Sequence, residues 1–148
     1  MMRALILAGK KDPIIRVFTA DLVQSAGTGN SKNRLGEIEA VFLFVRDDVR
    51  YVWDVEGVET LQTPRYTLEH RHGDCDDKTT LAGAMLASIG HKVRVCPAGP
   101  GRGLFHHVYL EALLYTRKGP KWLALDCTEN HPLGWAPPHA QKMIFHCK

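Results

Sequence analysis

Apolar residues recur at three- and four-residue steps through Leu35, Ile38, Phe42, Val45 and Val49. That period predicts a helix from about Asn33 to Asp48. An earlier stripe of Ile15, Phe18 and Leu22 follows Asp12-Pro13, an N-cap carboxylate with proline at the first helical position. Ala26 to Ser31 closes that helix as a loop. Arg50 to Trp53 reads as extended and Asp54 to Leu61 as loop, and Thr63-Pro64 opens a short helix to about His70 with Gly73 as its stop. Gly73 or Asp74 then begins a long helix ending at Ile89, with Gly90 beyond it. Leu81, Ala82, Ala84, Met85, Leu86, Ala87 and Ile89 cover nearly every face of it, which predicts a central, buried helix.

After Gly90 the period changes to two. Lys92 to Cys96 reads as a strand, Pro97 to Gly103 as a loop, Leu104 to Tyr115 as a long strand, and Lys121 to Cys127 as its return after a turn at Thr116 to Pro120. Lys142 to His146 is an expected edge strand. Helices first and a short antiparallel sheet second describe an α+β domain. No linker or repeat divides the 148 residues, so a single domain is expected, with a core over about 12–130 and a tail over 131–148.

Composition adds mainly exclusions. A chain that is 45% hydrophobic and 24% charged is not disordered, and its length suffices for a core without disulfide or metal. A net charge of +3 is too mild to point to nucleic acid, and the longest apolar run, Ala40 to Val45, is too short for a membrane span. Arg3 followed by Ala4 to Ala8 is too short for a signal peptide before Lys10-Lys11-Asp12, so a cytoplasmic start is expected. Four cysteines without a CxxC pair then read as free thiols.

Three residues stand where chemistry could be done. Cys75, in His72-Gly73-Asp74-Cys75-Asp76-Asp77, opens the buried helix, where unpaired N–H groups favour an anion and could hold an oxyanion. The alternative is a small capping or packing residue. His106 and His107 fall on opposite faces of a strand. His106 shares its face with Leu104, Val108 and Leu110, a core face, whereas His107 shares one with Tyr109 and Glu111, which suits a cleft and makes it the better base. Asp126 ends the returning strand near His107, close enough to orient the imidazole, though such an aspartate is often only a turn residue.

Gly73-Asp74-Cys75, His107-Val108-Tyr109-Leu110-Glu111 and Trp122 to Thr128, in that order, resemble the transglutaminase-like cysteine proteases, above all their small bacterial and phage members. Val45 to Val52 and Leu61 to Pro64 are similar to the segments that precede the cysteine there. The resemblance runs from about Asp12 to Asn130. It implies a papain-like fold, with Cys75 as nucleophile, His107 as base and Asp126 as orienter. It also implies acyl transfer through a thioester, with water as acceptor in a peptidase or amidase and an amine in a transglutaminase.

One departure concerns the acids. Animal members carry an aromatic residue after the nucleophile, whereas Asp74, Asp76 and Asp77 surround Cys75 here. They either cap the helix or form an acidic rim for a cationic peptide or amine. The expected partner is thus a peptide or protein substrate, with no nucleic acid, membrane or cofactor. A metal site at His70, His72, Asp74 and Cys75 is a rival, though its spacing matches no familiar zinc site. A non-catalytic binding module is another. Gln62 is a possible side chain for the second oxyanion donor.

Overall fold

The computed structural model describes residues 1–27, 33–53, 61–103, 105–128, 130–139 and 141–147. Up to Ser88 the chain is mainly helical, with α1 (Met2–Lys10), α2 (Pro13–Ser25), α3 (Arg34–Asp48), α4 (Pro64–His70) and α5 (Cys75–Ser88). Side-chain caps set the starts, at Asp12 and Thr63 as expected and at Asn33 as well. Asp12 accepts from the Ile14 N–H at 2.9 Å, Asn33 from Gly36 at 2.9 Å and Thr63 from Tyr66 at 3.2 Å. The loops expected over 26–31 and 54–61 fall largely outside the described residues, as does Leu104. No described helix is long and apolar enough to cross a membrane.

Two features depart from local pattern. The N-terminal apolar run is the helix α1, which packs on α5 and buries Ile6 completely. Gly83 makes this possible, because a Cβ there would lie 2.7 Å from Ile6 Cδ1. The short helix α4 ends not at Gly73 but at Arg71, in the left-handed region at φ 58°. Arg71 tolerates that backbone because its guanidinium donates to the Leu68 carbonyl (2.6 Å) and lies over the rings of Phe18 and Phe44 (5.3 and 4.9 Å).

Gly73 serves close approach instead. It belongs to β2 (His72–Gly73), which pairs in parallel with β1 (Arg50–Tyr51), Tyr51 facing Gly73. A Cβ at Gly73 would come within 2.6 Å of Asp77 Cβ, so only glycine lets this strand run tight against the first turn of α5. Every residue of α5 from Asp77 to Ala87 is buried, as its all-round apolar pattern predicts.

The sheet comprises β3 (Val93–Gly99), β4 (His107–Thr116), β5 (Gly119–Leu125), β6 (Gln141–Lys142) and β7 (Phe145–Cys147). Its order is β5-β4-β3, with β6 and β7 both pairing with the outer edge of β3, all antiparallel. The β4–β5 hairpin closes at Thr116↔Gly119, which sets Leu110 opposite Leu125. Strand β3 continues past Cys96 through Pro97, because Pro97 falls between the registers of β6 and β7, where it interrupts neither ladder.

Val108, Leu110 and Ala112 face the α5 core, as alternation requires. The opposite face is not a cleft along its length. Tyr109 and Glu111 are buried with Cys96, Ala98 and Ala124. Glu111 takes bonds from Arg94 (2.7 Å), Cys96 (3.1 Å) and Lys142 (3.5 Å), so the C-terminal tail covers this face.

Candidate active site

The site lies where the N-terminus of α5 meets the first residue of β4. Asp74 caps the helix by accepting from Asp77 N–H (3.0 Å), and Asp77 accepts in return from Asp74 N–H (3.2 Å). This reciprocal box fixes the turn that carries Cys75. The thiol looks into a cleft of about 280 Å³ lined by Tyr51, Trp53, Cys75, His106, His107 and Thr128.

Burial, with the charges of Asp76 and Asp74, pushes the Cys75 thiol up to about 12, and an N–H bond from Val108 only partly opposes them. Asp76 Oδ1 stands 3.6 Å from Sγ. The sulfur is therefore a thiol at neutral pH, and using it as a nucleophile requires a base to take its proton as it attacks.

His107 and Asp126 are joined by one of the short bonds of the site. The ring Nε2–H donates to Asp126 Oδ2 at 2.8 Å. Continuing the β4–β5 register past Leu110↔Leu125 brings Asp126 beside this end of β4, which is why the two side chains meet. Asp126 is only 3% exposed. Burial alone would raise its carboxyl, but the bonds from His107 and Thr128 outweigh that and hold it below its ordinary value. Its second oxygen takes both the hydroxyl and the N–H of Thr128. Thr128 was not among the residues expected to act, although Asp126-Cys127-Thr128 has the sequence form of an Asx turn.

A buried cation lies behind the carboxylate. Lys78 is 1% exposed and donates to the carbonyls of Val49 (2.8 Å) and Arg46 (3.3 Å). It thus ties the end of α3, and the entry to β1, to α5. Burial lowers its ammonium, while Cys127, Asp47 and Asp126 act to keep it charged.

Three expectations are corrected. His106 is exposed and lines the cleft, because β4 begins only at His107 and the alternation that would turn His106 into the core does not reach it. Asp77 is 1% exposed and closes the capping box while accepting from Gln62 N–H (2.8 Å), so it cannot form part of an acidic rim. Gln62 does not line the cleft, and its side-chain oxygen accepts from Thr67 Oγ1 at 2.9 Å.

The remaining residues are placed as follows. His70 stacks on Tyr66 with ring centroids 3.8 Å apart, and among the described residues no three His, Cys, Asp or Glu side chains converge as metal ligands. Cys96 and Cys127 are buried and Cys147 is half-buried in the edge strand β7.

The curated proteins include no sequence that matches the chain. Among solved structures, a candidate protease from Parabacteroides distasonis superposes with a TM-score of 0.60 at 12% identity, over 82% of this chain and 26% of that one. A candidate cysteine protease from Cytophaga hutchinsonii superposes with a TM-score of 0.54 at 18% identity, over 86% of this chain and 46% of that one. The chain therefore spans less than half the length of either neighbour, and at these identities the likeness is one of fold. The family model described as the transglutaminase-like superfamily matches residues 21–127, from within α2 to the residue after Asp126. The chain belongs to the transglutaminase-like superfamily.

Proposed function

We propose that the protein is a cysteine-dependent amidase or peptidase that works through a thioester on Cys75. The observation that carries this reading is the His107–Asp126 bond of 2.8 Å in the same cleft as a thiol at a helix N-terminus. With Nε2 engaged by the carboxylate, Nδ1 on the other side of the ring is the nitrogen that serves the thiol. It takes the Sγ proton as sulfur attacks the amide carbonyl, then returns that proton to the departing amine. The thioester is released when water attacks it, with the same nitrogen as base. Asp126, ionised and held by Thr128, stabilises the imidazolium in between. Asp76, next to the sulfur, favours a substrate with a cationic group near the scissile bond.

The test has two parts. Iodoacetamide at neutral pH, followed by mass mapping, should modify Cys75 ahead of Cys96, Cys127 and Cys147. A library of peptidyl aminomethylcoumarin amides should then yield substrates whose turnover disappears in Cys75→Ala and falls at least about a hundredfold in His107→Ala. Labelling of another cysteine while Cys75 stays inert would remove the nucleophile. Adding a primary amine and finding amide product rather than acid would make the acceptor an amine.

A further inference from the structure

Acyl transfer at Cys75 builds negative charge on the former carbonyl oxygen, and a helix N–H alone is half of the usual provision for it. Gln62 does not supply the other half, because it is not among the residues that line the cleft and its backbone N–H is bonded to Asp77. A different group stands at the thiol. The parallel pairing of β1 with β2 sets Tyr51 opposite Gly73, two residues before Cys75, and the Val52 N–H to Gly73 carbonyl bond (3.0 Å) locks that register. The half-buried Tyr51 side chain lines the cleft together with Cys75. Its ring is braced by Trp53 at 5.1 Å, edge to face. Lys78 secures the approach to β1 through the Val49 carbonyl.

Resting on the thioester reading above, we propose that Tyr51 is the second oxyanion donor. In the tetrahedral step, sulfur bonds to the carbonyl carbon and the Sγ proton passes to His107. The carbonyl π pair moves onto oxygen, and that oxygen accepts a hydrogen bond from the Tyr51 O–H, with no proton transferred to it. The Cys75 N–H, at the helix N-terminus, is the first donor to the same oxygen. When the oxyanion re-forms the carbonyl, the bond to the leaving group breaks and the leaving group departs with the electron pair. The phenol keeps its proton throughout the working range: burial, together with the charges of Cys75 and Asp74, raises it to about 12. Trp53, 81% exposed, is the brace and not the donor.

The proposal separates two reactions of one sulfur. Acylation by p-nitrophenyl acetate passes through an oxyanion, whereas alkylation by iodoacetamide is a direct displacement and does not. In the wild-type chain, p-nitrophenolate should be released with matching acetylation of Cys75 by intact mass, and Cys75→Ala should lose both. Tyr51→Phe should then acylate about ten- to a hundredfold more slowly while its alkylation rate stays within about threefold of wild type. Tyr115→Phe, an exposed phenol outside the cleft, should acylate within about threefold. An acylation rate in Tyr51→Phe within about threefold of wild type overturns the assignment. So does a parallel fall in both reactions, which would mean that the phenol supports the thiol and not the oxyanion. Failure of the thioester reading looks different: the wild-type Cys75 would then acylate no faster than a free cysteine, and the role of Tyr51 would fall with it.

Discussion

Asp76→Asn should make Cys75 more reactive, and the size of the gain follows from the geometry. The carboxylate oxygen lies 3.6 Å from the sulfur and is the largest electrostatic cause, after burial, of the raised thiol. At that distance two unit charges repel by about 1 kcal/mol in water and about 4–5 kcal/mol at an effective dielectric of 20. Asp76 is only half-buried and the cleft is open, so the lower part of that range applies, about 1–2 kcal/mol, or roughly one unit of pKa. Far below the thiol's pKa the thiolate population rises about tenfold for each such unit. A less basic thiolate is also a poorer nucleophile, with a Brønsted coefficient of about 0.4–0.5, which returns nearly half of the gain on a logarithmic scale. The net expectation is a rate about three to seven times higher at pH 7.5. The assay is the reaction of Cys75 with 4,4′-dithiodipyridine, in a background where Cys147 is serine, followed from pH 6 to 10. Wild-type rates should keep climbing through pH 9 without a plateau, as a thiol near 12 requires, and the Asn profile should lie above them throughout. Added salt should raise the wild-type rate and leave the variant nearly flat. A variant no faster than wild type, with unchanged melting temperature, would show that the Asp76 charge does not reach the sulfur. A wild-type plateau below pH 7 would show instead that His107 and Cys75 already exist as an ion pair.

Other expectations concern stability more than rate. Asp77→Ala removes one half of the capping box and the tether to Gln62, and should cost about 2 kcal/mol or more, read as a shift in the urea midpoint. Asp126 has a lowered folded pKa, so its stabilising contribution is complete above its unfolded value near 3.8 and is lost as pH falls through the lower folded value. Asp126→Asn should therefore flatten the loss of stability below pH 4, measured by urea titration at successive pH values. His106→Ala should melt with the wild-type protein, because an exposed histidine before β4 contributes no core packing. A drop of several degrees would contradict its placement.

Much of the architecture obeys rules that act over a few residues, and that part was legible in the amino-acid order. The caps at Asp12, Asn33, Thr63 and Asp74 each bond to an N–H two or three residues away. The α5 apolar pattern and the two-residue turn between Thr116 and Gly119 are equally local, and so is the order in which Cys75, His107 and Asp126 enter the fold. What only the tertiary structure decided are questions of which distant group a side chain meets. Asp77 looks like the third member of an acidic run, but Gln62, fifteen residues earlier, and the tight β2 strand bury it. Tyr109 and Glu111 alternate correctly, yet a tail thirty residues further on covers them. Gln62 could equally have lined the cleft, yet the fold leaves it outside, with its side-chain oxygen on the Thr67 hydroxyl. Tyr51 lies in a segment whose likeness assigned it no role, and its place in the Cys75 cleft comes from a parallel pairing between strands separated by a whole helix. Periodicity and caps are set by backbone geometry that every residue shares, whereas a hydrogen-bond partner is chosen by whatever the fold brings within about 3 Å.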